Sequence, residues 1–270
     1  MRPIPQTRLT SEPACCSERF PLQLPARQGW LVICLLLLVY LATVANVFGS
    51  NVIIRAAYDH PAKRGKADLT NIVVWLTPLP ASGNTRVESV SSELPHHFEM
   101  MQAHKRFVPH LLVVPVGSVV DFPNKDPFFH NVFSLFDGKR FDLGLYEAGG
   151  SRAIKFDRVG VSFLFCNIHP QMSGVVLTIA TPYYGTSNDA GLVEIENVPA
   201  GKYRLEIWTE RALPETLRKL EREITVAADS DFQDSFVISA SKDIFEGHKN
   251  KYGGDYQTTG PSTPGYQTSE

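Results

Sequence analysis

The chain has 270 residues, 43% hydrophobic and 20% charged, with a net charge of −2. That profile belongs to a globular protein with room for two modest domains and excludes a disordered or collagen-like chain. Residues 1–49 carry Arg2, Arg8, Arg19 and Arg27 against Glu12 and Glu18, so the remainder is more acidic than the whole. Nucleic acid is not expected as a partner, because its binding draws on clustered Lys and Arg.

The first element is the run "WLVICLLLLVYLATVANVFGS", Trp30 to Ser50, which has no charge and follows the four arginines. An apolar stretch of about 20 residues is long enough to cross a bilayer as a hydrophobic helix, while its small-residue end, "ATVA" and "VFGS", suits a signal-peptidase site. Cleavage and retention as a membrane anchor both stay open. The basic flank keeps the N-terminus in the cytoplasm, so the part after Ser50 is expected outside the cytoplasmic membrane, in the periplasm or anchored facing it. Cys15, Cys16 and Cys34 lie before or within the run, which leaves Cys166 as the lone exported thiol. No intramolecular disulfide is available to it, and a lone thiol in an oxidising compartment calls for burial or a ligand role.

"NVIIRAAYD" and "IVVWLTPL" read as strands, rich in β-branched residues and bounded by turn formers. Residues 81–98 have a loop composition. From "RFVPHLLVVPVGSVVDFPNKD" onward, short strands follow one another ("HNVFSLF", "SRAIKFD", "VSFLFC", "GVVLTIA"), each ended by Gly, Pro, Asp or Asn, which predicts an all-β sandwich or barrel. "AGLVEIENVPAGKYRLEIWTE" alternates through Leu192, Ile195 and Val198, then Tyr203, Leu205 and Ile207, and is expected to form a hairpin about "VPAGKY". "LPETLRKLERE", Leu213 to Glu223, is the clear helical candidate; "ITVAADS" and "DSFVIS" resume strand character. The polar, Gly/Ser/Thr/Pro-rich end from Glu246 reads as a flexible tail.

The chemistry concentrates in "FCNIHPQMSG", where Cys166, His169 and Met172 fall within seven residues. Thiolate, imidazole and thioether form a soft to borderline donor set that favours copper, and a blue-copper site asks for two His, one Cys and a weak axial Met. The second His must come from elsewhere, and "FFHNVF" offers His130. Taken singly, Cys166 could be a buried structural thiol and Met172 core packing. Zinc is a further alternative, weakened by the Met. A second cluster, "HHFEMMQAHKRFVPH", would place His96, Met100 and His104 on one helical face as a site for Cu(I), against the plainer reading of a solvated linker. His110 is expected to point outward from a strand.

The stretch "VVPVGSVVDFPNKDPFFHNVF" and the pattern C-x-x-H-x-x-M-x-G resemble the cupredoxin family, the plastocyanin and amicyanin branch in particular, over about residues 104–181. The resemblance implies a Greek-key sandwich with one type 1 copper site held by His130, Cys166, His169 and Met172. It also implies a hydrogen bond from Asn131 tying the first ligand strand to the ligand loop, and an electron exit through His169 beside Pro170 and Phe128 or Phe129. Asn167 stands where those families usually have Ser or Thr, so the partner of Asn131 is open. "SNDAGLVEIENVPAGKYRLEIW" resembles the carboxypeptidase regulatory-like, transthyretin-like sandwich through Asp189, Gly191, Val198, Pro199, Gly201, Tyr203 and Leu205.

The expected organisation is all-β. A signal peptide or anchor at 1–49 precedes the opening strands of the regulatory-like, Ig/transthyretin-type sandwich and a linker at 50–98. An inserted cupredoxin domain occupies 99–181, the rest of the flanking sandwich 182–240 and a tail 241–270. The expected function is one-electron transfer between a redox-protein donor and acceptor, with no catalytic group. A copper carrier or sensor, or an extracytoplasmic binding protein with a structural cupredoxin domain, is the alternative. An enzyme is disfavoured because protein side chains fill all four ligand positions.

Overall fold

A computed structural model describes residues 49–59, 68–80, 96–135, 138–241 and 251–254. The hydrophobic run from Trp30 lies outside the described residues up to Phe48, as do residues 81–95 and most of the tail. Among the described residues no helix is long and apolar enough to cross a membrane.

The fold is all-β. Its strands are β1 (Ser50–Tyr58), β2 (Val73–Pro78), β3 (His97–Glu99), β4 (Met101–Ala103), β5 (Arg106–Val108), β6 (Leu111–Pro115), β7 (Val119–Pro123), β8 (His130–Ser134) and β9 (Phe141–Tyr146). They continue with β10 (Ser151–Lys155), β11 (Gly160–Phe165), β12 (Ser173–Ile179), β13 (Tyr184–Thr186), β14 (Leu192–Val198), β15 (Gly201–Trp208), β16 (Arg222–Val226) and β17 (Phe232–Ile238). Among the described residues one short helix, α1, spans Pro214–Arg218.

Two sandwiches share the chain. In the first, the sheet β10-β7-β3 faces the sheet β6-β12-β11-β8-β9 across a core of Met100, Phe107, Val120, Phe122, Val132, Tyr146, Phe156, Leu164 and Val176. In the second, β14-β1-β17 faces β13-β2-β15-β16 across Val52, Ile54, Leu76, Val193, Ile195, Leu205, Ile207 and Phe236. Strands β1 and β2 come from before the first sandwich and pair with β14, β17, β13 and β15, which come after it. The first sandwich is therefore an insertion in the second at the level of strand pairing. Val73, Val113, Leu177 and Ile179 form a third cluster with Trp75 and Trp208 packed on it, so the five-stranded and four-stranded sheets also meet back to back. This explains why "GVVLTI" in β12 is apolar without alternation: both of its faces are covered.

Three sequence expectations are corrected. β14 and β15 do not form a hairpin; β14 pairs with β1 and β15 with β2 and β16, so Pro199-Ala200 carries the chain from one sheet to the facing one. Alternation cannot distinguish these outcomes, because both point Val198 and Tyr203 into the same core. The arch is pinned by Tyr203, whose hydroxyl donates to the Pro199 carbonyl at 2.8 Å. The helix candidate shrinks to α1, because Arg222–Val226 is taken up as a strand against β15; Pro214 starts the helix and Leu217 is its buried residue. Finally, "HHFEMMQAHKRFVPH" is neither a helix nor a solvated linker. It forms β3, β4 and β5, burying Met100 completely and leaving His96 and His104 exposed, so their shared face does not exist.

Candidate metal centre

The ligand loop is the connection between antiparallel strands β11 and β12, whose last pair is Phe165 with Ser173. Cys166 opens the loop and Met172 closes it: the Cys166 N–H donates to the Met172 carbonyl at 3.1 Å, and the Met172 N–H to the His169 carbonyl at 3.0 Å. β8 lies beside β11, with Phe165 paired to Phe133, so His130 at the start of β8 reaches the same end of the sandwich. The sheet thus brings together donors far apart in sequence.

Cys166 Sγ lies 3.8 Å from His130 Nδ1 and 3.5 Å from His169 Nδ1, and the two Nδ1 atoms are 3.1 Å apart. Among the described residues these three form the group able to hold a metal ion. A point equidistant from them lies about 2.0 Å from each, close to ordinary metal–nitrogen distances of about 2.0–2.1 Å and somewhat under the metal–sulfur distance of about 2.3 Å. The donor triangle therefore fits a trigonal two-nitrogen, one-sulfur ion with a shift of a few tenths of an ångström. Met172 is fully buried in the same core cluster as Cys166.

The side chains are prepared for that role. His130 is fully buried, and its Nε2 lies 2.8 Å from Asp126 Oδ2. The carboxylate accepts the Nε2–H, which leaves Nδ1 as a bare lone pair facing the sulfur. Asp126 is itself held: Oδ1 accepts from the His104 N–H at 2.7 Å and Oδ2 from the Lys105 N–H at 2.9 Å. Burial raises its pKa, but the bonds from Lys105, His130 and His104 outweigh burial and hold it below the usual carboxylate value. At His169, burial first and then the neighbouring His130 and Lys105 depress the pKa to about 4, so the ring is neutral and its lone pair available near pH 7. Burial pushes the Cys166 thiol up, opposed by backbone hydrogen bonds from Asn131, Ile168 and His169. Those bonds favour the thiolate that a soft cation would require.

His169 is half-buried and Pro170 exposed. Around them Phe128, Phe129 and Ile168 are 36–44% exposed; the Phe128 ring lies 5.3 Å from the His130 ring and 5.6 Å from the His169 ring. Asn131 reaches the ligand loop through its backbone bond to Cys166, not through its side chain. Its side chain donates to Asp142 Oδ1 at 2.7 Å rather than to the ligand loop, and its Oδ1 is buried without a partner. Asn167 accepts instead from the Lys251 N–H at 3.1 Å. His110 does not simply point outward: its Nδ1 faces the Ser173 carbonyl at 3.2 Å and its Nε2 the Glu210 carboxylate at 2.7 Å. Sequence reasoning missed Asp126, whose one signal is an acid four residues before His130, and it missed Asp142 and Lys251, for which the sequence holds none.

No protein-family model and no curated protein matches the chain. Among solved structures it is similar over 39% of its length to the copper-containing nitrite reductase from Thermus scotoductus SA-01, at 22% identity and a TM-score of 0.31. The chain spans about a quarter of that protein's length, 26%. It is similar over 31% of its length to a purple cupredoxin from Nitrosopumilus maritimus, covering 99% of that chain at 24% identity and a TM-score of 0.28. An amicyanin mutant in the Cu(I) state matches over 31% of this chain and 82% of its own, at 20% identity and a TM-score of 0.29.

Proposed function

We propose that the chain is an exported copper protein that passes single electrons between redox proteins. The observation that supports this most is the arrangement of two imidazole nitrogens and one thiol sulfur, within 3.1–3.8 Å of one another, at one end of a rigid sandwich. Bound copper would supply the one-electron Cu(II)/Cu(I) couple. The chain's own residues do the rest. His130, Cys166 and His169 would hold the ion, with Met172 as the weak fourth donor. Asp126 fixes the His130 tautomer, and the backbone N–H groups steady the thiolate.

The fully buried His130, Cys166 and Met172 suit electron transfer better than release of the metal to a partner. With Met172 as the fourth donor the ion would have no open position for a substrate, so the reading is of a carrier of electrons rather than an enzyme. Half-buried His169, rimmed by Phe128, Phe129 and Pro170, is the point of electron exit. The apolar run from Trp30 behind its arginines supports export, whether the segment is cut or stays as an anchor. The surrounding second sandwich serves as scaffold or docking surface.

The test is one absorption spectrum of the copper-loaded protein. Electron transfer requires an intense visible thiolate-to-copper band and a reversible one-electron potential, both lost in Cys166→Ser. A colourless copper-loaded protein sinks the proposal. Release of copper to an acceptor without any such band would indicate a carrier.

A further inference from the structure

Asn131 and Asn167 follow His130 and Cys166 in the chain, and the two asparagines are joined through a tail residue. Lys251 donates its backbone N–H to Asn167 Oδ1 at 3.1 Å and its Nζ to Asp142 Oδ2 at 2.8 Å. The other oxygen, Asp142 Oδ1, accepts from Asn131 Nδ2 at 2.7 Å and from the Gly144 N–H at 2.9 Å. One residue 84 positions downstream thus bridges the ligand loop to β9, and through Asp142 to the strand that carries His130.

The ion pair alone would be weak, since its side chains are 22% and 37% exposed. Two further features give it purchase. The Asn167 contact uses a backbone N–H, which costs no side-chain ordering at the lysine, and Asp142 uses its two oxygens for opposite sides of the bridge. Burial raises the Asp142 pKa, but Lys251, Gly144 and Asn131 together bring it below the usual value, so the bridging group is a carboxylate at neutral pH.

We propose that Lys251 is a positioning residue of the metal centre: it latches the ligand loop to β9 and limits the movement of Cys166 and His169 when the metal is absent or changes oxidation state. This rests on the reading of His130, Cys166 and His169 as the metal ligands. It assigns Lys251 a structural task and explains Asn167 as its acceptor.

The test uses the full chain with Lys251→Pro, which removes both the N–H and the Nζ, Lys251→Ala, which removes the Nζ alone, and Lys251→Arg, which keeps the N–H and a cationic side-chain donor. In metal-free protein the Cys166 and Met172 amides report opening of the loop by hydrogen exchange. The latch predicts exchange about tenfold faster in Lys251→Pro, a smaller gain in Lys251→Ala and none in Lys251→Arg. Unchanged exchange in Lys251→Pro overturns it. In copper-loaded protein the same order is expected for the rate of copper release to a chelator, about tenfold for Lys251→Pro, at the low end of outer-sphere effects on metal sites. Faster exchange with unchanged release overturns the positioning role. If no variant, nor the parent, binds copper, the metal reading fails while the exchange order still decides the latch.

Discussion

Replacing Asp126 by Asn removes one charge from the cluster that orients His130 while preserving shape. The carboxylate accepts three hydrogen bonds, one at Oδ1 from His104 and two at Oδ2 from Lys105 and His130. An asparagine can keep its oxygen at the Oδ2 position, so its amide nitrogen then faces the His104 N–H and that bond is lost. A hydrogen bond to a charged group contributes about 1.5–3 kcal/mol and a neutral one about 0.5–1.5 kcal/mol. One lost bond and two weakened ones therefore amount to about 4 kcal/mol, a large part of a typical stability of about 5–15 kcal/mol.

Urea unfolding of the metal-free protein reads this as a midpoint about 2 M lower, for a slope near 2 kcal/mol/M. The sign with pH follows from the depressed folded pKa of Asp126. The carboxylate's contribution is complete above its unfolded value of 3.8 and fades as pH falls through the lower folded value. The deficit of the Asn variant must therefore narrow in acid. Because that variant still accepts the Nε2–H, the His130 tautomer persists. In Asp126→Ala it does not, and copper affinity falls by about 10- to 100-fold. Equal stability of parent and Asp126→Asn refutes the charge-assisted bonding, and equal copper affinity in Asp126→Ala refutes the orienting role.

His110 bridges the two sandwiches, with acceptors at both ring nitrogens, so the doubly protonated ring satisfies both. The Glu210 hydrogen bond raises its pKa above 6.5 despite burial, so its stabilisation is full below that value and is lost as pH rises through the folded pKa. Melting temperature followed upward from about pH 6 should decline in the parent and flatten in Glu210→Gln; equal slopes contradict the bridge. Tyr203→Phe removes the bond that pins the arch and should cost about 1 kcal/mol in chemical unfolding, with no change in visible spectrum. Gly191 sits at φ +73°, and an added Cβ would lie 2.2 Å from the Ala56 carbonyl oxygen, which also neighbours the bond from the Ala56 N–H to the Gly191 carbonyl. Gly191→Ala should lower stability by more than the roughly 1 kcal/mol of left-handed strain alone, and a parent-like melting temperature would count against that clash.

Strand content was legible because short β-branched runs between Pro, Gly and Asn leave few alternatives. The facing of strands was not. Leu192–Val198 and Gly201–Trp208 each show which side chains enter a core, yet alternation carries no information on whether two such strands bond to each other or oppose each other across it. Pro199 tilts the outcome because its fixed φ of about −65° excludes the primed turns of a two-residue hairpin, and the Tyr203 hydroxyl then holds the arch. In "HHFEMMQAHKRFVPH" the polar letters obscured a single decisive burial: Met100 goes to the core with Phe107, and extended backbone is what the chain needs to place both there.

The grouping of His130, Cys166 and His169 was legible for a different reason. Cys166, His169 and Met172 share a short loop, so their chemistry is local in sequence, and His130 stands out among the remaining histidines by its place at the head of the "HNVFSLF" run. Orientation is another matter. Asp126 is four residues from His130, but its role depends on the turn at His104 and Lys105, both at φ 55°, aiming two N–H groups at one carboxylate. The Asn131 contact shows the limit most clearly. An asparagine after a ligand strand leads to the expectation of a direct tie to the loop, and Asn167 in place of a hydroxyl residue removes the expected partner. The side-chain connection is made instead by Asp142, from a strand the sequence hardly advertises, and by Lys251, from a tail whose composition points to disorder. A long-range pair of this kind leaves no trace in periodicity or spacing, because nothing local to Lys251 or Asn167 points to the other; only their proximity gives them a role.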